Sequence, residues 1–156
     1  MKIKIIVVGK TKEAFVQAGE QEFRKRIPKY TDLEWVIIKP EKISEKSNEL
    51  RIKSNDADRI KEKITTAEWI VALDSNANQL RSEKFADFFH RKMIIEQNCV
   101  TFIIGGPIGL GENILQIANE ELSLSKMTFT HEMTRLILLE QIYRAFTIIR
   151  GEKYHK

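Results

Sequence analysis

Short apolar runs alternate with longer amphipathic segments along the chain, and this alternation predicts an α/β fold. A continuous apolar run is typical of a strand buried on both faces, whereas apolar positions three and four residues apart indicate a helix. We predict strands at residues 3–8, 33–39, 68–74, 100–104 and 122–124. We predict helices at about residues 12–27, 50–64, 82–97, 112–120 and 131–149. Strands that alternate with helices favour a mainly parallel sheet, with helices on both faces.

Individual residues mark several of these boundaries. Pro28 and Pro40 end the first helix and the second strand, and Ser82 is a suitable N-cap for the third helix. The Arg-Lys-Arg run at 24–26 falls in the last turn of the first helix, where positive charge complements the helix dipole. Contact with RNA is the less favoured alternative for this run. The polar, lysine-rich residues 41–49 are expected to form a mobile loop.

The last helix differs from the others because apolar residues surround it. One face and its flanks carry Leu136, Ile137, Leu138, Leu139, Ile142, Tyr143, Ala145, Phe146, Ile148 and Ile149. A helix of this kind is not stable on a surface and must be buried on two sides. In a chain of 156 residues, we expect the second side to form a homodimer interface.

The fourth strand leads directly into a glycine-rich loop, and residues 105–111 contain four glycines and one proline. Glycine lets the backbone turn sharply and approach a ligand closely, because it has no Cβ atom. Ligands of open α/β sheets bind at this carboxyl end of the strands. A tight turn without a ligand is the alternative, and the spacing matches neither the dinucleotide nor the P-loop pattern.

The composition is that of a soluble globular protein, with 42% hydrophobic and 31% charged residues. The length fits a single domain over residues 1–156. No apolar run approaches the roughly 20 residues of a membrane helix, and no secretory signal is visible, so we expect a cytoplasmic protein without a membrane partner. The net charge of +4 is compatible with a polyanionic partner.

Metal and serine-nucleophile chemistry are not expected. Cys99 is the single cysteine, which excludes an internal disulfide and a thiolate cluster. The sequence also contains no HExxH or CxxC motif, no acidic cluster with ligand spacing and no nucleophile elbow.

The chain ends in Tyr154, His155 and Lys156, soon after the apolar last helix. Histidine titrates nearest neutral pH and suits acid–base work, and tyrosine can stack on a base. A solvated basic tail is the alternative, since chain ends are usually frayed. Within the helix, Arg144 can neutralise a phosphate or pair with Glu140, four residues earlier.

Together these features resemble the RlmH family, the small SPOUT methyltransferases that modify a pseudouridine in large-subunit ribosomal RNA. The matching segments are residues 1–9, 73–74, 104–107, 109–110, 122–125, 127–128, 131, 142–145 and 154–156. They cover essentially the whole chain. The glycine loop alone is weak evidence, whereas the ordered set with the Tyr-His end is strong.

The resemblance implies a homodimer and a trefoil knot, in which the C-terminal segment is threaded through a loop of the sheet. It also implies that S-adenosylmethionine binds in the knot in a bent form. The implied contacts are Leu73, Gly105, Leu124, Ser125, Lys126, Met127, Thr128 and Phe129. In this interpretation Gly105 allows close approach, main-chain groups of 124–129 bind the adenine edge, and Leu73 and Met127 pack on its faces.

The implied reaction is methyl transfer to N3 of a pseudouridine in the helix 69 region of 23S ribosomal RNA, within the large subunit or the assembled ribosome. The protein must align the reacting atoms and help to remove the N3 proton, and no metal is needed. His155 is the candidate for this proton or for holding the nucleotide, with Tyr154 as a stacking partner. Arg144 and Lys156 are candidates for phosphate contacts. The tail of one subunit is expected to complete the site of the other.

The sequence departs from the family pattern at two places. Residues 75–78 contain no glycine, and Lys153 stands where the family often has a proline, which leaves the tail less preordered. Two other functions stay open: a non-catalytic ribosomal-RNA-binding module of the same fold, and an α/β protein that binds a nucleotide phosphate. Calorimetry with S-adenosylmethionine separates the first from the enzyme, and a titration with ATP or GTP tests the second.

Overall fold

Strands and helices alternate along the described part of the chain, which in this computed structural model comprises residues 1–42 and 48–155. The strands are β1 (Lys2–Val8), β2 (Asp32–Ile38), β3 (Glu68–Leu73), β4 (Cys99–Ile104) and β5 (Glu120–Leu122). The helices are α1 (Ala14–Arg26), α2 (Glu49–Lys61), α3 (Ser82–Ile94), α4 (Glu112–Leu115) and α5 (His131–Ile149). A 3-10 turn at Ile27–Lys29 follows α1.

The strands form one sheet in the order β2-β1-β4-β3-β5, and every pairing is parallel. At the centre, Ile5 of β1 lies opposite Phe102 of β4. These strands are apolar on both sides because helices cover both faces. On one face Ile5 packs in a core with Phe89 of α3, and on the other Ile6 packs in a core with Ile60 of α2. The predicted α/β fold, with its parallel sheet and helices on both faces, is confirmed.

The segment before the last helix differs from the prediction of a helix to residue 120 and a strand over 122–124. Helix α4 ends at Leu115, and β5 spans Glu120–Leu122. Asn119 explains the change: its main-chain N–H donates to Ile70 O at 2.9 Å, and its Oδ1 accepts from Ile70 N at 2.8 Å. Because of this double contact, the helix ends before Asn119, and pairing with β3 begins at Glu120, two residues before the predicted strand.

Two boundaries of the third helix also differ from the prediction. Ser82 is not the N-cap but the first helical residue, and its hydroxyl donates to Gln141 Oε1 of α5 at 2.7 Å. The helix ends at Ile94 rather than at residue 97, and Glu96 then adopts a left-handed φ of 54°. Of the loop predicted at 41–49, residues 43–47 lie outside the described residues.

Helix α5 occupies the predicted range and is buried on more than one side. It packs against both α1 and α3, and Leu138, Leu139 and Ile142 are fully buried. A Cβ atom on Gly19 of α1 would lie 2.7 Å from Leu136 Cδ1, so the two helices approach closely. Neighbours within one chain thus cover much of the apolar circumference, and the homodimer stays a prediction.

Two further expectations also stay predictions: the trefoil knot and the organisation of the chain as one domain. None of the helices in the described residues is long and apolar enough to cross a membrane.

Candidate functional site

A cleft of about 510 Å³ opens at the carboxyl ends of β3, β4 and β5. Its lining includes the last residue of each strand: Leu73, Ile104 and Leu122. Two segments that follow the strands complete it, the glycine loop (residues 105–111) and the cleft loop (residues 123–130). This is the edge at which open parallel sheets bind their ligands.

The glycine loop is shaped by contacts of the chain with itself. Gly109 N–H donates to Gly106 O at 3.0 Å, and Gly109 has a φ of 79°. A Cβ atom at Gly105 would lie 2.6 Å from the carbonyl carbon of Gly109. At Gly109 a Cβ atom would meet nothing within 4 Å. Gly105 therefore lets the loop fold back on itself, whereas the prediction attributed this glycine to the approach of a ligand.

The cleft loop is held by two serine hydroxyls and a helix cap. Ser123 Oγ donates to Ser125 O at 2.9 Å, and Ser125 Oγ accepts from Met127 N at 3.0 Å. Thr130 caps α5, because its Oγ1 accepts from Met133 N at 3.2 Å. Within residues 1–42 and 48–155, nothing accepts a hydrogen bond from the main-chain N–H groups of residues 124, 128 and 129. These groups remain available to a ligand.

The structure brings seven of the eight predicted cofactor residues into the lining of one cleft. They are Leu73, Gly105, Leu124, Ser125, Met127, Thr128 and Phe129. Lys126 is exposed and does not line the cleft. The lining also includes residues that the sequence did not single out as cofactor contacts: Asp74, Ser123, Thr130, His131 and Thr134. Asp74, Ser123 and His131 lie in segments that match the family, and Thr130 and Thr134 lie at the start of the last predicted helix.

The lining fits a nucleoside that carries a positive charge. Leu73 and Leu124 offer apolar surface for a base, and the free N–H groups of the cleft loop can bind its polar edge. Among the described lining residues Asp74 is the sole carboxylate, available to a cation or a ribose hydroxyl. Burial and the charge of Arg135 lower the pKa of His131, so this side chain is neutral at pH 7. The chemistry of the donor set therefore suits S-adenosylmethionine.

A second cluster lies farther along α5 and contains the three predicted catalytic residues. Arg144 pairs with Glu140, whose Oε1 lies 3.0 Å from Nε and 2.6 Å from Nη2. The guanidinium also lies 4.9 Å from the ring centre of Tyr154, whose hydroxyl donates to Glu140 Oε1 at 3.1 Å. Burial and the Glu140 carboxylate raise the pKa of Tyr154, so its phenol stays protonated at neutral pH. The sequence allowed Arg144 either to contact a phosphate or to pair with Glu140, and the ion pair with Glu140 is present in the structure.

His155 completes this tail cluster (Glu140, Arg144, Tyr154 and His155). Its Nδ1 lies 3.5 Å from Arg144 Nη1, and its Nε2 lies 3.4 Å from Glu83 Oε1 of α3. Both ring nitrogens thus have long polar contacts, and the ring is less than one-third exposed. Lys156, the other phosphate candidate, lies outside the described residues.

The cleft and the tail cluster occupy different parts of α5. The cleft lining includes His131 and Thr134 of the first turn, whereas the tail folds back so that Tyr154 contacts Glu140 and His155 contacts Arg144, farther along the helix. The nine residues from His131 to Glu140 span about 14 Å of the helix axis. No tail-cluster residue lines the cleft of its own chain.

A buried arginine ties the loop after β1 to the start of α5, beside the cleft. Arg135 is fully buried, and it donates to Val8 O at 2.7 Å and to Thr11 Oγ1 at 2.9 Å. Its Nε has no partner in the described part of the chain. Glu132 accepts from the main-chain N–H groups of residues 12 and 13, each at 3.0 Å. This network was not predicted from the sequence, where its signal is a charged pair inside an otherwise apolar helix.

No three histidine, cysteine or acidic side chains of the described residues are grouped as metal ligands would be. Cys99 is free and half-buried, and burial raises the pKa of its thiol. A thiolate is therefore not expected at neutral pH.

The fold and the cleft define a SPOUT-type α/β methyltransferase, and residues 1–155 match a family model described as "Predicted SPOUT methyltransferase". The chain belongs to this family. It is 44% identical over 160 residues to a protein named ribosomal RNA large subunit methyltransferase H from Carboxydothermus hydrogenoformans. It is 39% identical over 159 residues to a protein of the same name from Enterococcus faecalis. Each alignment covers 100% of both chains, which confirms the family resemblance.

A solved structure supports the fold independently. It is described as "a probable methylase family protein" from Haemophilus influenzae and superimposes with a TM-score of 0.59 at 11% sequence identity. The match covers 99% of this chain and 70% of the other.

Proposed function

We propose that this protein transfers a methyl group from S-adenosylmethionine to N3 of a pseudouridine in the helix 69 region of 23S ribosomal RNA. The observation that carries the proposal is the cleft at the ends of β3, β4 and β5, with its free main-chain donors, in a chain of the SPOUT methyltransferase family. Relatives that match the whole chain are named for methylation of large-subunit ribosomal RNA. The reaction would take place in the cytoplasm, where ribosomes are found.

The cleft residues would hold the cofactor by its base and its charge. Leu73, Leu124 and Met127 would pack on the faces of the adenine, and the N–H groups of residues 124, 128 and 129 would bind its edge. When bound, S-adenosylmethionine supplies an electrophilic methyl group. Thr128 and Phe129 would close the cleft toward solvent, because both lie in its lining and are exposed.

The tail cluster would act on the nucleotide. His155 would accept the N3 proton at a ring nitrogen released from Glu83, since a neutral imidazole offers a lone pair for the proton. Tyr154 would stack on the base as a neutral phenol. Arg144 would position both side chains, because its guanidinium already contacts the ring of Tyr154 and the Nδ1 side of His155.

The separation of cleft and tail supports a homodimer with shared sites. In a single chain, His155 does not line the cleft that contains the cofactor residues. An antiparallel arrangement of two α5 helices would bring the tail cluster of one chain to the cleft of its partner. The trefoil knot of the family would fix the cleft loop against the glycine loop. The RNA would bind as part of the large subunit or of the whole ribosome.

Calorimetry with S-adenosylmethionine tests the cleft. The wild-type protein should bind the cofactor without metal, and Thr128→Trp should abolish binding because the indole would fill the cleft. The matched control is Thr66→Trp, at an exposed threonine before β3 that does not line the cleft. Loss of binding in both variants, or in neither, would contradict this site. Absence of binding by the wild type, with ribosome binding retained, would instead support a non-catalytic module.

A further inference from the structure

A group of cations surrounds the end of the molecule that carries the tail. It comes from three segments: the last turn of α1, the 3-10 turn, and the residues after α5. We name it the basic face, and it comprises Arg24, Lys25, Arg26, Lys29, Arg150 and Lys153. All six residues are exposed. The segments are joined at this end, because Tyr30 Oη donates to Glu152 Oε2 at 2.7 Å.

Aromatic rings hold several of these cations in place. The guanidinium of Arg26 lies 5.7 Å from the ring centre of Tyr143, and that of Arg150 lies 5.9 Å from Tyr30. Arg24 lies 5.1 Å from the ring of Trp35. A guanidinium that rests on a ring keeps its N–H edge free for a second partner, and less rotamer entropy is lost when that partner binds.

Carboxylates neutralise only part of this charge. Glu22 pairs with Arg26, and Glu152 pairs with Lys29 at 3.3 Å. In the described residues no salt bridge involves Arg24, Lys25, Arg150 or Lys153. The helix dipole accounts for cations in the last turn of α1 and for Arg150, the C-cap of α5, but not for Lys153, three residues farther on. Three separate segments thus bring positive charge to one surface.

We infer that the basic face binds the phosphate backbone of the ribosomal RNA beside the target nucleotide. This rests on the proposed function, because it assumes that RNA is the substrate. Unpaired cations spaced over one surface suit a polyanion, and ring-held arginines suit phosphates that approach edge-on. The face adjoins the tail cluster through Tyr143, whose ring centre lies 4.8 Å from that of Tyr154. It would therefore hold RNA next to the residues assigned to the nucleotide.

The test is the salt dependence of methyl transfer to 70S ribosomes from a strain that lacks this activity. The variant is Arg24→Gln, Lys25→Gln and Lys153→Gln together, which removes three unpaired cations outside the cleft. The control removes the same charge from the other face of the sheet: Arg51→Gln, Lys61→Gln and Lys63→Gln. A charge-conserving variant, Arg24→Lys, Lys25→Arg and Lys153→Arg, tests whether charge alone matters.

We expect the Gln variant to raise KM for ribosomes about tenfold and to lower the slope of log KM against log KCl concentration by about 2 to 3. Its affinity for S-adenosylmethionine should stay unchanged, as should KM in the charge-conserving variant and in the control. Equal KM and slope in the Gln variant and the wild type would overturn the inference while leaving the proposed function intact. No methyl transfer by the wild type would count against the proposed function itself. In that case, the affinities of the wild type and the Gln variant for the same ribosomes would be compared. Equal affinities would show that the basic face does not bind RNA.

Discussion

Two glycines of one loop have different reasons to be glycine. Gly105 lacks space for a side chain, because a Cβ atom would lie 2.6 Å from the backbone of Gly109. Gly109 has open space but a φ of 79°, which a residue with a Cβ atom adopts only with strain. The first glycine therefore determines whether the loop closes, and the second determines a local conformation beside the cleft.

The two corresponding alanine variants should differ in stability. Gly109→Ala should lower the free energy of unfolding by about 1 to 2 kcal/mol, the cost of a left-handed residue. Gly105→Ala should lower it by more, about 3 kcal/mol, because backbone atoms must move apart. It should also weaken binding of S-adenosylmethionine. Urea unfolding and calorimetry measure these effects, and equal losses in the two variants would contradict this account of the loop.

At the level of elements, Glu132 and Arg135 tie α5 to the loop that precedes α1. Glu132 is buried, which raises its pKa, but the N–H groups of residues 12 and 13 outweigh this effect, and the net pKa is lowered. The carboxylate form is therefore the stabilising one. Its contribution is present above the unfolded-state pKa of about 4.5 and is lost as the pH falls through the lower folded-state pKa.

Glu132→Gln should lower the free energy of unfolding by about 1.5 to 3 kcal/mol at pH 7, because charge-assisted hydrogen bonds to two N–H groups are lost. The difference between variant and wild type should start to shrink as the pH falls below about 4.5, where the unfolded carboxyl group takes up a proton, and should vanish below the lower folded-state pKa. Urea unfolding at a series of pH values measures this. A difference that does not depend on pH would show that the carboxylate charge has no role.

The pattern of the sequence predicted the elements better than it predicted their ends. Apolar periodicity predicted the order of strands and helices and the range of α5. These elements form as predicted because their apolar faces pack against each other in the fold. The ends at Leu115 and Glu120 were not predicted, because they depend on Asn119 pairing with Ile70, a contact 49 residues distant along the chain. The burial of Arg135 could not be predicted for the same reason, because its hydrogen-bond partners lie far away in the sequence, on β1 and the loop after it.

In the molecule as a whole, the site residues fall into two groups at different positions along α5. The residue types of the glycine loop and of the chain end indicated both regions, and the family resemblance supplied the cofactor contacts and the role of each residue. The cleft is formed within one chain. The tail cluster is also formed within one chain, through the Arg144–Glu140 pair and Tyr154. In the proposed mechanism, a second copy of the chain would bring the two together.

A mixed dimer tests this arrangement. His155→Ala should lower kcat by about 10²- to 10⁴-fold without changing cofactor affinity, and Thr128→Trp should be inactive. Co-expression with two different tags and sequential purification yields dimers with one chain of each kind. One of their two sites combines an intact cleft with an intact partner tail, so we expect about half of the wild-type activity. An inactive mixed dimer would show that the tail acts within its own chain. Unchanged activity of His155→Ala would remove this residue from the mechanism.

Methyl transfer followed by nucleoside analysis tests whether the protein methylates N3 of a pseudouridine. Ribosomes from a strain lacking the modification are incubated with the protein and S-adenosylmethionine, and the ribosomal RNA is digested and analysed by mass spectrometry. We expect the new nucleoside to be N3-methylpseudouridine, found in 23S and not in 16S RNA, and to be absent with Thr128→Trp. Methylation of a different nucleoside, or none in a preparation that binds the cofactor, would contradict the account.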